Sequence, residues 1–116
     1  MDDLKRWTPF GGGSTIGREG SEGGTIVRDE QYSGTARISL ERSAVIAPSA
    51  IICGISGWMV HTRFFASEDQ ATTAFEEMKL AIAEIVEIVP AADDPQGDTK
   101  IPDVSVAIRE FIERYP

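Results

Sequence analysis

The sequence predicts an α+β domain: a four-stranded antiparallel sheet built from two Ser-Gly hairpins, with two C-terminal helices packed on one face. Three observations carry that expectation. Two pairs of runs rich in β-branched and aromatic residues each meet at a Ser-Gly pair, which is a hairpin signal. A long stretch after Ala66 then repeats apolar residues at three- and four-residue spacing, the mark of a helix that buries one side. A shorter stretch of the same spacing closes the chain.

Residues 1–23 read as a glycine-rich N-terminal arm, and residues 24–116 as a single domain. Seven of the eleven glycines lie between Gly11 and Gly24, a density too costly in entropy for a regular element to form unaided. Trp7 and Phe10 are the arm's apolar anchors, able to pack onto the sheet or a neighbouring subunit. The run Gly11-Gly12-Gly13-Ser14-Thr15-Ile16-Gly17 lacks the Gly-Lys-Ser/Thr ending and the preceding strand of a phosphate loop.

The first hairpin joins Thr25–Gln31 to Thr35–Glu41 through Ser33-Gly34. A two-residue loop would pair Glu30 with Arg37 and Arg28 with Ser39, placing opposite charges directly across the strands. Ala36, Ile38 and Leu40 would then face the core. Arg28, Glu30, Arg37, Ser39 and Glu41 would take the open side.

The second hairpin joins Ala50–Ile55 to Trp58–Phe65 through Ser56-Gly57. The same loop length would pair Ile55 with Trp58 and Cys53 with Val60, sending Ile51, Cys53, Ile55, Trp58, Val60 and Phe64 inward. Ala50, Ile52, Met59, His61, Arg63 and Phe65 would face outward. That mixture is too polar for a second core and too apolar for a plain solvated face, so it marks an interaction surface.

Ser67 suits the N-cap of the long helix, with Gln70 completing a capping box and Glu68 and Asp69 meeting the positive end of the helix dipole. Ala71, Ala74, Phe75, Met78, Ala81, Ile82, Ile85 and Val89 form the apolar stripe; Leu80 is left exposed, and Pro90 stops the helix. Residues 90–101 read as an acidic loop. Its acids lack the spacing and closing Glu of a calcium loop. Pro102 and Asp103 would open the second helix, whose stripe is Val104, Ala107, Ile108, Phe111 and Tyr115.

The net charge of −8 is concentrated in the helical half, where twelve acids and four bases lie between Ser67 and Pro116. This argues against nonspecific attraction to nucleic acid or anionic membranes. The single cysteine, Cys53, cannot form an internal disulfide and is expected buried and inert in a reducing compartment. The chain opens without a leader pattern and contains no apolar run long enough to span a membrane. It therefore reads as soluble and cytoplasmic.

Little catalytic chemistry is legible. The two-residue register puts Cys53 and His61 on opposite faces, which separates the only nucleophile and base pair. One histidine and one cysteine cannot supply a common zinc set, and no cofactor motif is present. The expected function is that of a non-catalytic binding or assembly module. Its open sheet face, with Arg28, Arg37, Met59, His61, Arg63 and Phe65, would serve self-association as a homodimer or bind a protein or small anionic ligand. One alternative is an acidic antagonist, of the immunity-protein type, using Leu80, Glu76, Glu84 and Glu87 against a basic partner. Another is single-strand binding: four strands and a helix resemble, in architecture alone, the Whirly-type single-strand binders, whose sheets contact unpaired bases. The resemblance implies an aromatic platform and a basic groove, of which this chain offers Phe65 and a charge of the wrong sign.

Overall fold

The computed structural model describes residues 6–116. The chain is α+β, with an antiparallel sheet and two helices, but the sheet has five strands rather than four. They are β1 (Trp7–Pro9), β2 (Thr25–Tyr32), β3 (Ala36–Arg42), β4 (Ser49–Ile55) and β5 (Met59–Phe65), followed by α1 (Glu68–Ile88) and α2 (Gly97–Arg114). Each strand lies beside its sequence neighbour, so the sheet is a plain meander. The extra strand comes from the arm: Trp7 pairs with Tyr32, Thr8 with Gln31 and Pro9 with Glu30. Arm residues before residue 6 lie outside the described residues.

Both Ser-Gly turns form, but each is followed by one residue outside the ladder. Thr35 donates its amide to the Tyr32 carbonyl, closing a turn over Ser33 and Gly34 at φ of 55° and 67°. Pairing then resumes at Ala36 opposite Tyr32, not at Thr35. Likewise Trp58 donates to Ile55 across Gly57, at φ 81°, and Met59 becomes the partner of Ile55. The Thr35 carbonyl also accepts the Ser56 amide, which ties the two turns together.

A one-residue shift sends the side chains of a strand to the other face. The predicted pairs Glu30 with Arg37 and Cys53 with Val60 are therefore replaced by Gln31 with Arg37 and Cys53 with His61. In β5 the inward residues are Met59, His61, Arg63 and Phe65, while Val60, Thr62 and Phe64 point outward. In β2 a register irregularity between Ile26 and Arg28 leaves Arg28, Glu30 and Tyr32 on the inner face.

The core lies between that inner face and α1, which crosses β3, β4 and β5. Ala36, Ile38, Leu40, Ile51, Cys53 and Ile55 meet Ala71, Ala74, Phe75, Met78, Ile82 and Ile85. Each fully buried Ile or Phe contributes about 1.5–3 kcal/mol of transfer free energy. Ser67 caps α1 by accepting the Gln70 amide at 3.2 Å. The second helix starts at Gly97, earlier than Pro102. The Gln96 amide bonds Asp94 Oδ1 at 2.8 Å and Thr99 Oγ1 donates to the Gln96 carbonyl at 2.7 Å, building a first turn ahead of the proline. That turn faces solvent, where the backbone carbonyl left unpaired by Pro102 stays hydrated. Val104, Phe111 and Tyr115 bury α2 against the core cluster.

Candidate functional site

The three-residue hairpin connections divide the six residues expected on the open face. Arg28, Met59, His61, Arg63 and Phe65 lie on the helix side of the sheet, and only Arg37 stays on the open side. They do not form one surface, because the face assignment of β2 and β5 is inverted by the extra residues Thr35 and Trp58.

On the helix side these residues fasten the helices to the sheet. Arg28 donates through Nε and Nη2 to Glu30 Oε2 at 3.1 and 2.7 Å, and through Nη2 to Glu76 Oε2 at 2.8 Å. Lys79 pairs with Glu30 at 2.6 Å and approaches Glu76 at 3.5 Å, which closes a four-residue network between β2 and α1. The guanidinium of Arg28 also lies 4.4 Å from the centre of the Phe75 ring. Burial alone would push the Glu76 carboxyl up, but Arg28 and Lys79 outweigh it and hold the carboxyl below the ordinary carboxylate range.

His61 Nε2 donates to the Tyr115 carbonyl at 2.6 Å, a bond that requires the Nε2 proton, and its ring meets Phe111 edge-on at 6.3 Å. Arg63 Nε donates to the Pro116 carbonyl at 3.1 Å, with the guanidinium over Phe65 and Tyr115 at 4.7 and 5.4 Å. Together they dock the end of α2 on β5. Cys53 and His61 are cross-strand partners on one face, contrary to the two-residue register. Burial pushes the Cys53 thiol up to about 12, although Arg63 pulls the other way. At neutral pH it is a thiol, not a nucleophilic thiolate. Among the described residues, no group of three or more His, Cys, Asp or Glu gathers as a metal site.

The open side has two unlike halves. Over β2 and β3, residues 10–24 fold back onto the sheet and are held by two buried acids. Asp29 receives Nε and Nη2 of Arg37 at 2.9 and 2.7 Å and the hydroxyl of Thr15 at 2.8 Å. Phe10 lies over the same guanidinium, 3.6 Å from ring centre to Cζ. Glu41 accepts the amides of Glu22, at 3.2 Å, and Gly24, at 3.0 Å. A Cβ at Gly20 would come within 2.2 Å of the Glu41 carboxyl, so any larger residue there would have to displace that side chain.

Over most of β4 and β5 the face is uncovered. Ile52, Val60, Thr62 and Phe64 line it; Val60 is 82% exposed and Phe64 41% exposed. With Gly54 they make a two-strand strip without a charged side chain, ended by the fully buried Ala50 beside Phe64. A cleft of about 310 Å³ runs between strip and arm, walled by Gly20, Ser39 and Glu41 on one side and Ile52 and Val60 on the other. At the margin of the arm, Val45 and Ile46 are also exposed, with the Val45 amide bonded to the Glu22 carbonyl.

Asp29 and Glu41 as arm anchors, and Val60 and Phe64 as the exposed apolar pair, were not legible as such in the sequence. The usable signal was the residue after each Ser-Gly pair: counting Thr35 and Trp58 into the loops yields this register. Comparison with protein-family models, with curated proteins and with solved structures found no match to the chain.

Proposed function

We propose that the protein is a non-catalytic binding or assembly module whose working surface is the bare strip over β4 and β5. One observation carries this reading: Val60 and Phe64, both apolar and both exposed, stand on the same uncharged strip. Apolar surface left open beside a well-packed core is characteristic of an interface. The anion-recognition variant loses support, since Arg28 and Arg37 are committed to carboxylates within the chain and Arg63 to the carbonyl of Pro116. Single-strand binding loses support for the same reason: Arg37 is the only base the described strands place on the open face, and Asp29 neutralises it. The acidic-antagonist reading keeps the exposed Leu80, but Glu76 pairs with Arg28 and Glu87 accepts the Tyr32 hydroxyl. A buried Cys53 thiol suits a reducing compartment, consistent with a cytoplasmic location. No helix among the described residues is long and apolar enough to cross a membrane.

The test is photo-crosslinking in cells expressing the full chain, with a benzophenone side chain at Val60 or at Leu80. Adducts from Val60 and none from Leu80 support the strip as the working surface. Adducts from Leu80 alone overturn it in favour of the acidic helices.

A further inference from the structure

We infer that the partner seated on the strip is a second copy of this chain, sheet against sheet, with the helices outermost; the inference rests on reading the strip as the working surface. Charge is the first argument. Each copy carries −8, and twelve of its acids belong to the segment from Ser67 onward, which holds both helices. Any approach through the helices sets acid against acid. Approach through Ile52, Val60, Thr62 and Phe64 does not. Stacked sheets lie about 10 Å apart, so the two helical layers end up on opposite outer sides of both sheets. Their separation then exceeds the Debye length of about 8 Å at physiological ionic strength.

Shape is the second argument. The arm rises over β2 and β3 while most of β4 and β5 is uncovered, which makes the open face a step. A flat partner would be held off the strip by the arm. A copy turned about a two-fold axis parallel to the strands has the same step reversed. Its strip meets the first strip, and each arm lies beside the β5 edge of the other copy. Such a contact is isologous and closes at two subunits.

Area sets the strength. Two strands of seven residues cover roughly 10 by 24 Å, about 240 Å² in projection. A stable interface needs about 600 Å² or more from each partner. The arm margins, including the exposed Val45 and Ile46, must supply the remainder, which places the contact at the small, reversible end of the range.

Sedimentation equilibrium on the full chain, from about 1 µM to about 1 mM, tests the inference. The expected result is a monomer–dimer equilibrium that persists in high salt, where residual repulsion is screened. Val60→Asp/Phe64→Asp, checked for folding by circular dichroism, should weaken it at least about thirtyfold. Thr62→Arg places a charge at the strip's centre and should do the same if the double variant fails to fold. Leu80→Asp should leave it unchanged. A wild-type monomer throughout the range, or a dimer lost in Leu80→Asp and kept in the strip variants, overturns the inference. In the first case, Val60 crosslinks to a different protein would leave the strip as working surface and remove only the second copy.

Discussion

Gly24 donates its backbone amide to the carboxylate of Glu41 at 3.0 Å, in a site where both residues are buried. No described cation pairs with that carboxylate; backbone amides from the 20–24 turn hold it. The arm is thereby fastened by polar contacts, while its residues 10–23 bury no side chain completely.

Glu41→Gln should therefore loosen the arm without dissolving the sheet. The amide side chain loses the charge-assisted bonds, at a cost of about 1–3 kcal/mol. Hydrogen exchange should accelerate at Glu22 and Gly24 and stay slow at Ile38 and Cys53 in the central strands. Uniform acceleration would mean that Glu41 supports the whole fold rather than the arm.

Glu76 gives a pH dependence with a definite sign. Its carboxyl is depressed in the folded chain by Arg28 and Lys79, against the opposing effect of burial. It thus adds stability above the unfolded pKa of about 4.3, and that stability disappears as pH falls through the lower folded value. Urea unfolding at pH 7 and pH 3 should show a larger loss for wild type than for Glu76→Gln. The side chain is half exposed, so the difference is a few tenths of a kcal/mol. Equal losses would dismiss the Arg28–Glu76 contact as energetically silent.

Cys53 should label only through unfolding. Its thiol is buried and raised to about 12, so at pH 8 the folded protein presents almost no thiolate. Reaction with a disulfide reagent should become independent of reagent concentration at high reagent, at the rate of opening. A group whose pKa is raised on folding is stabilising below its unfolded pKa of about 8.5, and that contribution is lost as pH rises towards 12. Fast second-order labelling of the native chain would show that the β4 thiol is accessible.

The register can be read by paired substitutions. Val60→Lys points away from the core and, at protein concentrations too low for the dimer, should change stability by less than about 0.5 kcal/mol. Phe65→Lys removes the ring beneath Arg63 and sets a second cation beside it, at a cost of at least about 1.5 kcal/mol. A two-residue loop predicts the opposite order, so the ranking in urea unfolding decides between the registers.

The long helix, its Ser67 cap and its stop before Pro90 were legible because cap chemistry and 3.6-residue spacing are local properties. So were the two turns and the inward set Ala36, Ile38, Leu40, Ile51, Cys53 and Ile55. The strand register beyond each turn was not. Strand β5 reads as apolar on both faces, with Val60 and Phe64 on one and Met59 and Phe65 on the other, so alternation alone could not choose its register. The candidate site inherited that ambiguity, and the cationic cluster expected around His61 became the seat of α2. Strand β1 was missed because three residues ending in Pro9 carry no periodicity, and the pairing depends on Tyr32 meeting Trp7 across a glycine-rich gap.

The strand order, identical to the order along the chain, also bears on synthesis at the ribosome. From β2 onward each new strand finds its neighbour already made, so the sheet can zip from residue 25 to residue 65 through short loops with little entropic search, while β1 closes across the longer 10–24 segment. Its inner surface has no cover until α1 emerges, because Phe75, Met78 and Ile82 are encoded after the last strand. A nascent chain halted at Phe65 would thus expose Ile38, Ile51 and Ile55 together. That intermediate is the form of this protein most in need of a chaperone.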